Sequence, residues 1–380
     1  MKIFIESVSI FKDRSGVGQY TKRLVDAAAK LSPADEFTLF SFRFFTKPLP
    51  KSELKGANIT YRFIRYMPGR VYNMLFRLGL RLPIDIFLRR RPDVIIYPNF
   101  TRWPVMNPKI KTVAIIHDLS FIHFPQFASP INRRDNEKSV PASIKKSSRI
   151  ITVSESSKRQ IIEHYGTPAN KISVIYPAVN TSFFHRRPED EVNQIRRRYK
   201  LPKKYILYAG TLEPRKNIVG LLKAYENLPD KLRNEYGLVL AGGKGWQDEE
   251  ITNYIDKLVT EGFKIILTGY VPDIDLPAIY SGAAVFAWPS HYEGFGIPPL
   301  EAMACGVPVI TSDNSSLPEV VGDAAIKIDA ADTQALASSI EQVLTDKKLA
   351  KNLSQKGLAQ AGKFSWDKSA QKLLDLLHEL

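Results

Sequence analysis

The sequence predicts an α/β fold of two Rossmann-like, doubly wound domains. Three observations carry the prediction. Short apolar runs alternate with helical patterns through both halves of the 380 residues, the order that builds parallel sheets with crossover helices. Each half holds a strand, a glycine-bearing turn and a helix start, at 2–31 and at 284–304. The length suits two domains of ordinary size. With 44% hydrophobic and 24% charged residues the composition is that of a globular chain. No run approaches the ~20 apolar residues that span a bilayer. The lone Cys305 excludes an internal disulfide and a multi-cysteine metal site. Met1–Ser7 has the pattern of a strand and not of a signal peptide, so a cytoplasmic, reducing setting is expected.

The net charge of +15 is unevenly distributed. Residues 1–187 hold 32 Lys and Arg against 13 Asp and Glu, while the remainder holds 22 against 26. The basic excess therefore lies in the first half, which points to an anionic partner there: a lipid surface, a lipid-linked phosphate or nucleic acid. No nucleic-acid recognition motif accompanies the charge, so nucleic acid ranks last.

In the first half, strand Lys2–Ser7 leads to Ser15-Gly-Val-Gly18 and to Gln19–Leu31, whose Tyr20, Leu24, Val25, Ala28 and Leu31 have helical spacing. The glycines at 16 and 18 suit a close approach to phosphate, but Thr21 stands where a dinucleotide site has its third glycine. Phe37–Phe42 and Ile59–Ile64 are strands joined through a loop at Phe44–Lys55. Gly69–Leu82 has a helical period within an arginine-rich, apolar stretch that includes Arg70, Arg77 and Arg81. It predicts either a membrane-surface helix or a core-packed helix with a solvated arginine face. Asp93–Tyr97 and Lys111–Ile116 are strands, and the second ends at His117, beyond the carboxyl end of a strand, where open α/β sheets bind ligands. Strand Arg149–Val153 runs into Ser154-Glu-Ser-Ser157, a cap for helix Lys158–His164. Lys171–Tyr176 is the last strand of domain 1–185, and the charged, proline-marked residues 186–203 are the expected linker.

Domain 204–363 opens with strand Lys204–Ala209 and the turn Gly210-Thr-Leu-Glu-Pro-Arg-Lys-Asn217, where Asn217 caps helix Ile218–Asn227. Arg215 and Lys216 in that turn suit a diphosphate. Strand Gly237–Ala241 ends at Gly242-Gly-Lys-Gly245, a loop suited to the base or ribose of a nucleotide. Helix Asp248–Glu261, strand Lys264–Leu267 and Gly269-Tyr-Val271 follow. Asp273-Ile-Asp275 has the spacing of a D-x-D metal motif but is a helix-start turn before Leu276–Ser281. Strand Ala284–Ala287 precedes Pro289-Ser-His-Tyr-Glu-Gly-Phe-Gly-Ile-Pro-Pro-Leu-Glu301, which puts Glu293 in a glycine turn and Glu301 inside a helix. The free N–H groups of Gly294, Phe295, Gly296 and Ile297 and the helix dipole would hold an anion. Strand Ala325–Ile328 and helices near 332–345 and 347–361 end the domain, and 364–380 forms a terminal helix.

Glu293 and Glu301, with seven residues between them within Tyr-Glu-Gly-Phe-Gly-Ile-Pro-Pro-Leu-Glu-Ala-Met-Ala-Cys-Gly-Val-Pro, make the chain resemble retaining GT-B glycosyltransferases of family 4 (glycosyl transferases group 1). The resemblance spans nearly the whole chain and is strongest over 204–330. It implies the GT-B fold, two Rossmann-like domains facing across a cleft, with the terminal helix packing back on the first domain. It implies hexose transfer from a nucleotide sugar to a glycan or lipid-linked acceptor hydroxyl. GDP-mannose is favoured as donor because the motif wording is similar to mannosyltransferases of surface polysaccharide synthesis, and a UDP-sugar is the alternative. No cofactor and no metal are implied. In this resemblance Glu301 binds the ribose hydroxyls, Arg215 and Lys216 hold the diphosphate, and Glu293 and His117 hold the sugar. Gly16, Gly18, Gly242 and Val271 line the donor. The family's arginine directly after the glycine is Thr211 here, so Arg215 is expected to supply that charge. Two other readings stay open at this stage: a sugar-nucleotide epimerase of GT-B fold, and a basic membrane- or nucleic-acid-binding protein with a degenerate site.

Overall fold

A computed structural model describes residues 1–11, 16–42, 54–127, 129–243, 245 and 248–380. Ser15, most of the loop expected at Phe44–Lys55, and Lys244 lie outside the described residues. The chain divides into two compact units, Met1–Pro177 with Trp366–Leu380, and Ala178–Ser365.

The first unit is built on seven parallel strands: β1 (Lys2–Glu6), β2 (Glu36–Phe42), β3 (Ile59–Ile64), β4 (Val94–Tyr97), β5 (Lys111–Ile115), β6 (Arg149–Thr152) and β7 (Ile172–Val174). Their order is β3-β2-β1-β4-β5-β6-β7. Central strands covered on both faces need unbroken apolar runs, and β4 (Val-Ile-Ile-Tyr) is buried at every position. The order reverses between β1 and β4, so the crevice beyond their carboxyl ends is the place for a ligand. Helix Gly16–Leu31 covers the sheet and receives helix Trp366–His378, whose Ala370, Leu373, Leu374 and Leu377 are buried. Ser369 Oγ donates to the Tyr176 carbonyl at 2.6 Å, and His378 Nε2 lies 2.9 Å from Asp35 Oδ2. Asp35 also holds the Met1 ammonium at 2.8 Å.

The second unit has six parallel strands: β8 (Tyr205–Ala209), β9 (Gly237–Ala241), β10 (Ile265–Gly269), β11 (Val285–Trp288), β12 (Val309–Ser312) and β13 (Ala325–Ile328). The order β10-β9-β8-β11-β12-β13 reverses between β8 and β11. The turn carrying Arg215 and Lys216 leaves β8, and the loop carrying Glu293 leaves β11. The topology therefore brings these two segments, some 78 residues apart in sequence, to one switch point.

Three elements differ from expectation. Residues 186–203 are part of the second unit and no linker. They hold helix Glu189–Arg198, with Val192 and Ile195 buried. Acids in its first turn and arginines in its last suit the helix dipole, so the charge run that resembles a linker is terminal charge on a helix. Arg198 and Tyr199 bind the Asp275 carboxylate at 2.9 and 2.7 Å, tying the helix to the start of Leu276–Ser281 and engaging the second acid of the D-x-D. Helix Pro130–Lys146 is absent from the sequence reading because few of its positions are apolar: only Val140, Ser143 and Ile144 are buried. The basic helix is shorter than expected, Gly69–Arg77, and ends before Gly79 at φ +90°. Its Tyr72 is buried and stacks on Phe42 with ring centroids 4.6 Å apart. Arg70, Met74, Arg77 and Leu78 are exposed. No helix among the described residues is long and apolar enough to cross a membrane.

Candidate active site

The switch point of the second unit is assembled from backbone first. After β8, Pro214–Lys216 forms one 3-10 turn, and Asn217 reverses the chain at φ +56°. The Asn217 side chain accepts from Gly220 N–H at 3.2 Å, capping helix Ile218–Glu226, and donates to the Ala330 carbonyl at 2.7 Å. After β11, the His291 amide donates to the Arg215 carbonyl at 2.9 Å, so the two segments are stitched through main chain. A third segment, 313–316, clamps the Glu293 turn. Ser315 Oγ accepts the Glu293 amide at 3.0 Å, and Ser316 Oγ donates to the carbonyls of Glu293 and Phe295 at 2.9 and 2.7 Å.

The side chains then converge. Lys216 Nζ is 2.6 Å from Glu293 Oε1, and Arg215 Nη1 is 3.1 Å from Glu293 Oε2. Arg215 also donates to the Tyr292 carbonyl and to Glu213 Oε1, each at 2.6 Å. Trp288 Nε1 donates to Glu293 Oε1 at 3.1 Å. Glu293 is buried. Burial alone would raise its pKa, but Lys216 and Arg215 outweigh burial and bring it down to about 2. Burial pushes the Lys216 ammonium the other way, below the ordinary lysine range, against the pull of Glu293. Two cations and two carboxylates sum to zero formal charge, so a diphosphate arriving here competes with Glu293 and Glu213 for the same donors. Sequence analysis gives Glu293 to the sugar and the cations to the phosphates; the structure brings all three into one cluster.

Gly296, at φ +110°, turns the chain into helix Ile297–Ala304, with Pro298 and Pro299 in its first turn. Among the described residues no acceptor takes the amides of Gly294, Gly296 or Ile297, which leaves those donors beside the cluster. Phe295 is buried, its ring edge-on to Phe364 at 5.5 Å. Glu301 lies within the helix, as its spacing requires, and accepts from Tyr280 Oη at 3.0 Å. Cys305, one turn on, has its thiol pushed up to about 12 by burial and by Glu301. Gly242 has a packing reason beyond flexibility: a Cβ there would sit 1.8 Å from the Gly210 carbonyl oxygen, so only glycine lets the turns after β8 and β9 lie side by side. Val271, following β10, is buried.

In the first unit His117 stands at the end of β5, buried, with its ring edge-on to Tyr20 at 5.5 Å. Its Nε2 is 2.8 Å from the Pro98 carbonyl, an acceptor only, so Nε2 carries the proton. Burial lowers the His117 pKa, against the Pro98 bond and Asp118, and the neutral ring presents Nδ1 as an acceptor. Gly16 starts helix Gly16–Leu31, and Gly18 lies where a Cβ would meet the Ser9 carbonyl at 2.2 Å.

Sequence reasoning missed Glu213, Trp288, Tyr280, Ser315 and Ser316. Glu213 is adjacent to the predicted cations, but adjacency alone does not show that a side chain turns inward. Trp288 lies one residue past the expected end of its strand. For the serines, nothing in the spacing of residues 313–316 shows that their hydroxyls reach the Glu293 turn.

Family models match both units: Glycosyltransferase Family 4 over residues 14–183 and Glycosyl transferases group 1 over 191–360. An O-antigen chain mannosyltransferase B of Escherichia coli is 36% identical over 379 residues, 97% of each chain. The chain belongs to this family of glycosyltransferases. Among solved structures it is similar to sucrose-phosphate synthase from Thermosynechococcus elongatus, with TM-score 0.77 and 21% identity, covering 100% of this chain and 98% of that one. It is also similar to Anabaena HepE in complex with UDP-glucose, with TM-score 0.73 and 18% identity, covering 100% of this chain and 99% of that one. The fold is GT-B.

Proposed function

We propose that the chain transfers mannose from GDP-mannose to a hydroxyl of a growing surface glycan, with retention of anomeric configuration and without a metal ion. The observation that carries the reading is the Lys216–Glu293–Arg215 cluster beside the N-terminus of helix Ile297–Ala304. As the sugar leaves, its diphosphate gains negative charge. Lys216, Arg215 and the amides of Gly294, Gly296 and Ile297 are donors arranged to stabilise that charge. Glu301, with one oxygen engaged by Tyr280, takes the ribose hydroxyls. His117 Nδ1 accepts a sugar hydroxyl. A Glu293 carboxylate with a pKa of about 2, held by two cations, is a poor base and a poor nucleophile. That supports attack by the acceptor on the face the diphosphate leaves, over a covalent glycosyl-enzyme.

The donor sugar follows the mannosyltransferase relatives, and UDP-glucose, which Anabaena HepE binds, is the alternative. The test is incubation of the purified protein with GDP-mannose and a lipid-linked glycan acceptor, with the anomeric configuration of the product read by NMR. An α-linked mannose is the expected product. A β-linked product overturns retention, and transfer from UDP-glucose alone overturns the donor. The arginines and apolar side chains exposed between Tyr66 and Arg81 support a further part of the reading, work at the cytoplasmic face of an anionic membrane.

A further inference from the structure

We infer that Trp288 is a positioning residue that holds the Glu293 carboxylate while Lys216 is shared with the donor diphosphate. The inference rests on the proposed role of the cluster and concerns a residue which that reading leaves out. Glu293 Oε1 takes two donors, Lys216 Nζ at 2.6 Å and Trp288 Nε1 at 3.1 Å. Both are organised by the same indole. Its N–H donates to the oxygen, and the Lys216 ammonium lies over its face, 4.9 Å from the ring centroid. An ammonium taken out of water is stabilised by an aromatic face, which offsets part of its burial.

The indole itself cannot drift. Trp288 is 1% exposed. It stacks on Tyr208 at 5.0 Å with an 11° interplanar angle and on Phe286 at 5.9 Å with 16°. Tyr208 Oη donates to the Thr211 carbonyl at 2.9 Å, so the stack is tied to the turn that carries the cations. Gly210 leaves room for it: a Cβ there would meet Trp288 Cη2 at 2.8 Å.

The consequence concerns the moment of donor binding. Phosphate oxygens and Oε1 compete for the Lys216 ammonium. When the ammonium turns to the phosphate, Oε1 loses its charged donor; without the indole N–H the carboxylate would be held only through Arg215 on Oε2 and the Ser290 hydroxyl, and would be freer to rotate or take up a proton. The indole N–H stays on Oε1 whichever partner Lys216 has. Glu293 therefore remains ionised and oriented through the reaction.

The test compares Trp288→Phe with Phe286→Leu in the full chain. Trp288→Phe keeps an aromatic ring in the stack and removes the N–H together with the indole's second ring. Phe286→Leu damages the stack and leaves the N–H in place. Transfer is assayed with GDP-mannose, and with UDP-glucose if GDP-mannose gives none. Failure with GDP-mannose alone overturns the proposed donor, and the comparison is then made on UDP-glucose. The expected result for Trp288→Phe is a fall in kcat of about 10-fold with donor KM changed little, and an acid limb of the pH–rate profile moved to higher pH. Phe286→Leu is expected to lower the melting temperature with the acid limb unmoved. A Trp288→Phe protein with wild-type kcat and acid limb overturns the proposal, as does an equal movement of the limb in both variants.

Discussion

At the scale of the residue, the cluster's energetics are dominated by one carboxylate. Replacing Glu293 by Gln leaves Lys216 and the half-buried Arg215 without their shared counter-charge, and Lys216→Ala removes a donor that the proposed reading gives to the developing diphosphate. Each is expected to lower kcat by about 100-fold or more, measured in the mannosyl-transfer assay, and unchanged turnover in both would sink the site. The pH dependence has a definite sign. The folded pKa of Glu293 is depressed from 4.5 to about 2, so its contribution to stability is complete above about 4.5 and is lost as the pH falls toward 2. Melting temperature should decline over that window in the native protein and decline less in Glu293→Gln. His117 adds a second window, because its lowered pKa makes the folded state bind fewer protons than the unfolded chain below pH 6.5. These residues were legible from their places in turns and at strand ends together with the family resemblance. Their pairing was not, since sequence spacing places Glu293 and Lys216 on separate turns and only the strand order brings the turns together.

At the scale of the element, Asn217 concentrates two demands in one side chain, a left-handed backbone and a helix cap. Asn217→Gly keeps the backbone geometry and loses the cap, while Asn217→Ala strains the backbone as well. Unfolding in urea should rank native above Gly above Ala, with Ala lower by about 2 kcal/mol or more. The cap was visible in the sequence because Asn stands directly before an apolar period. Helix Pro130–Lys146 was not, because only one narrow side of it is buried and Pro141 interrupts the pattern. Helix Gly69–Arg77 packs Tyr72 in the core, and its opposite side exposes Arg70, Met74, Arg77 and, just past its end, Leu78; whether that side meets a membrane surface is decided by vesicle binding. Arg77 pairs with Asp135, and Arg70 and Arg81 are exposed beside it. Glutamate at 70, 77 and 81 together should abolish flotation with phosphatidylglycerol vesicles, and native binding should weaken as salt rises. Retained flotation would make these arginines an ordinary solvated face.

At the scale of the whole molecule, two parallel sheets could be foreseen from strand–helix alternation, and the family resemblance implied the return of the terminal helix to the first domain, but the start of the second unit was not legible. Pro188 and the charges that follow it resemble a linker until Val192 and Ile195 are seen to be buried against the second unit. The terminal helix belongs to the first unit although its neighbours in sequence belong to the second. Removing Trp366–Leu380 should therefore destabilise the first unit selectively, with hydrogen exchange quickening in helix Gly16–Leu31 and staying slow in the sheet of the second unit.

That helix also sets a timetable for synthesis. Residues 178–365 leave the ribosome before Trp366 does, so the second unit has all of its chain while the first still lacks a helix. At common elongation rates the delay is on the order of ten seconds or more. Throughout it, the apolar side of Gly16–Leu31 that Leu373, Leu374 and Leu377 will cover stays open to water. The half of the protein made first is thus completed last, and a nascent-chain chaperone that shields this surface should raise the yield of folded protein more than one acting on the second unit.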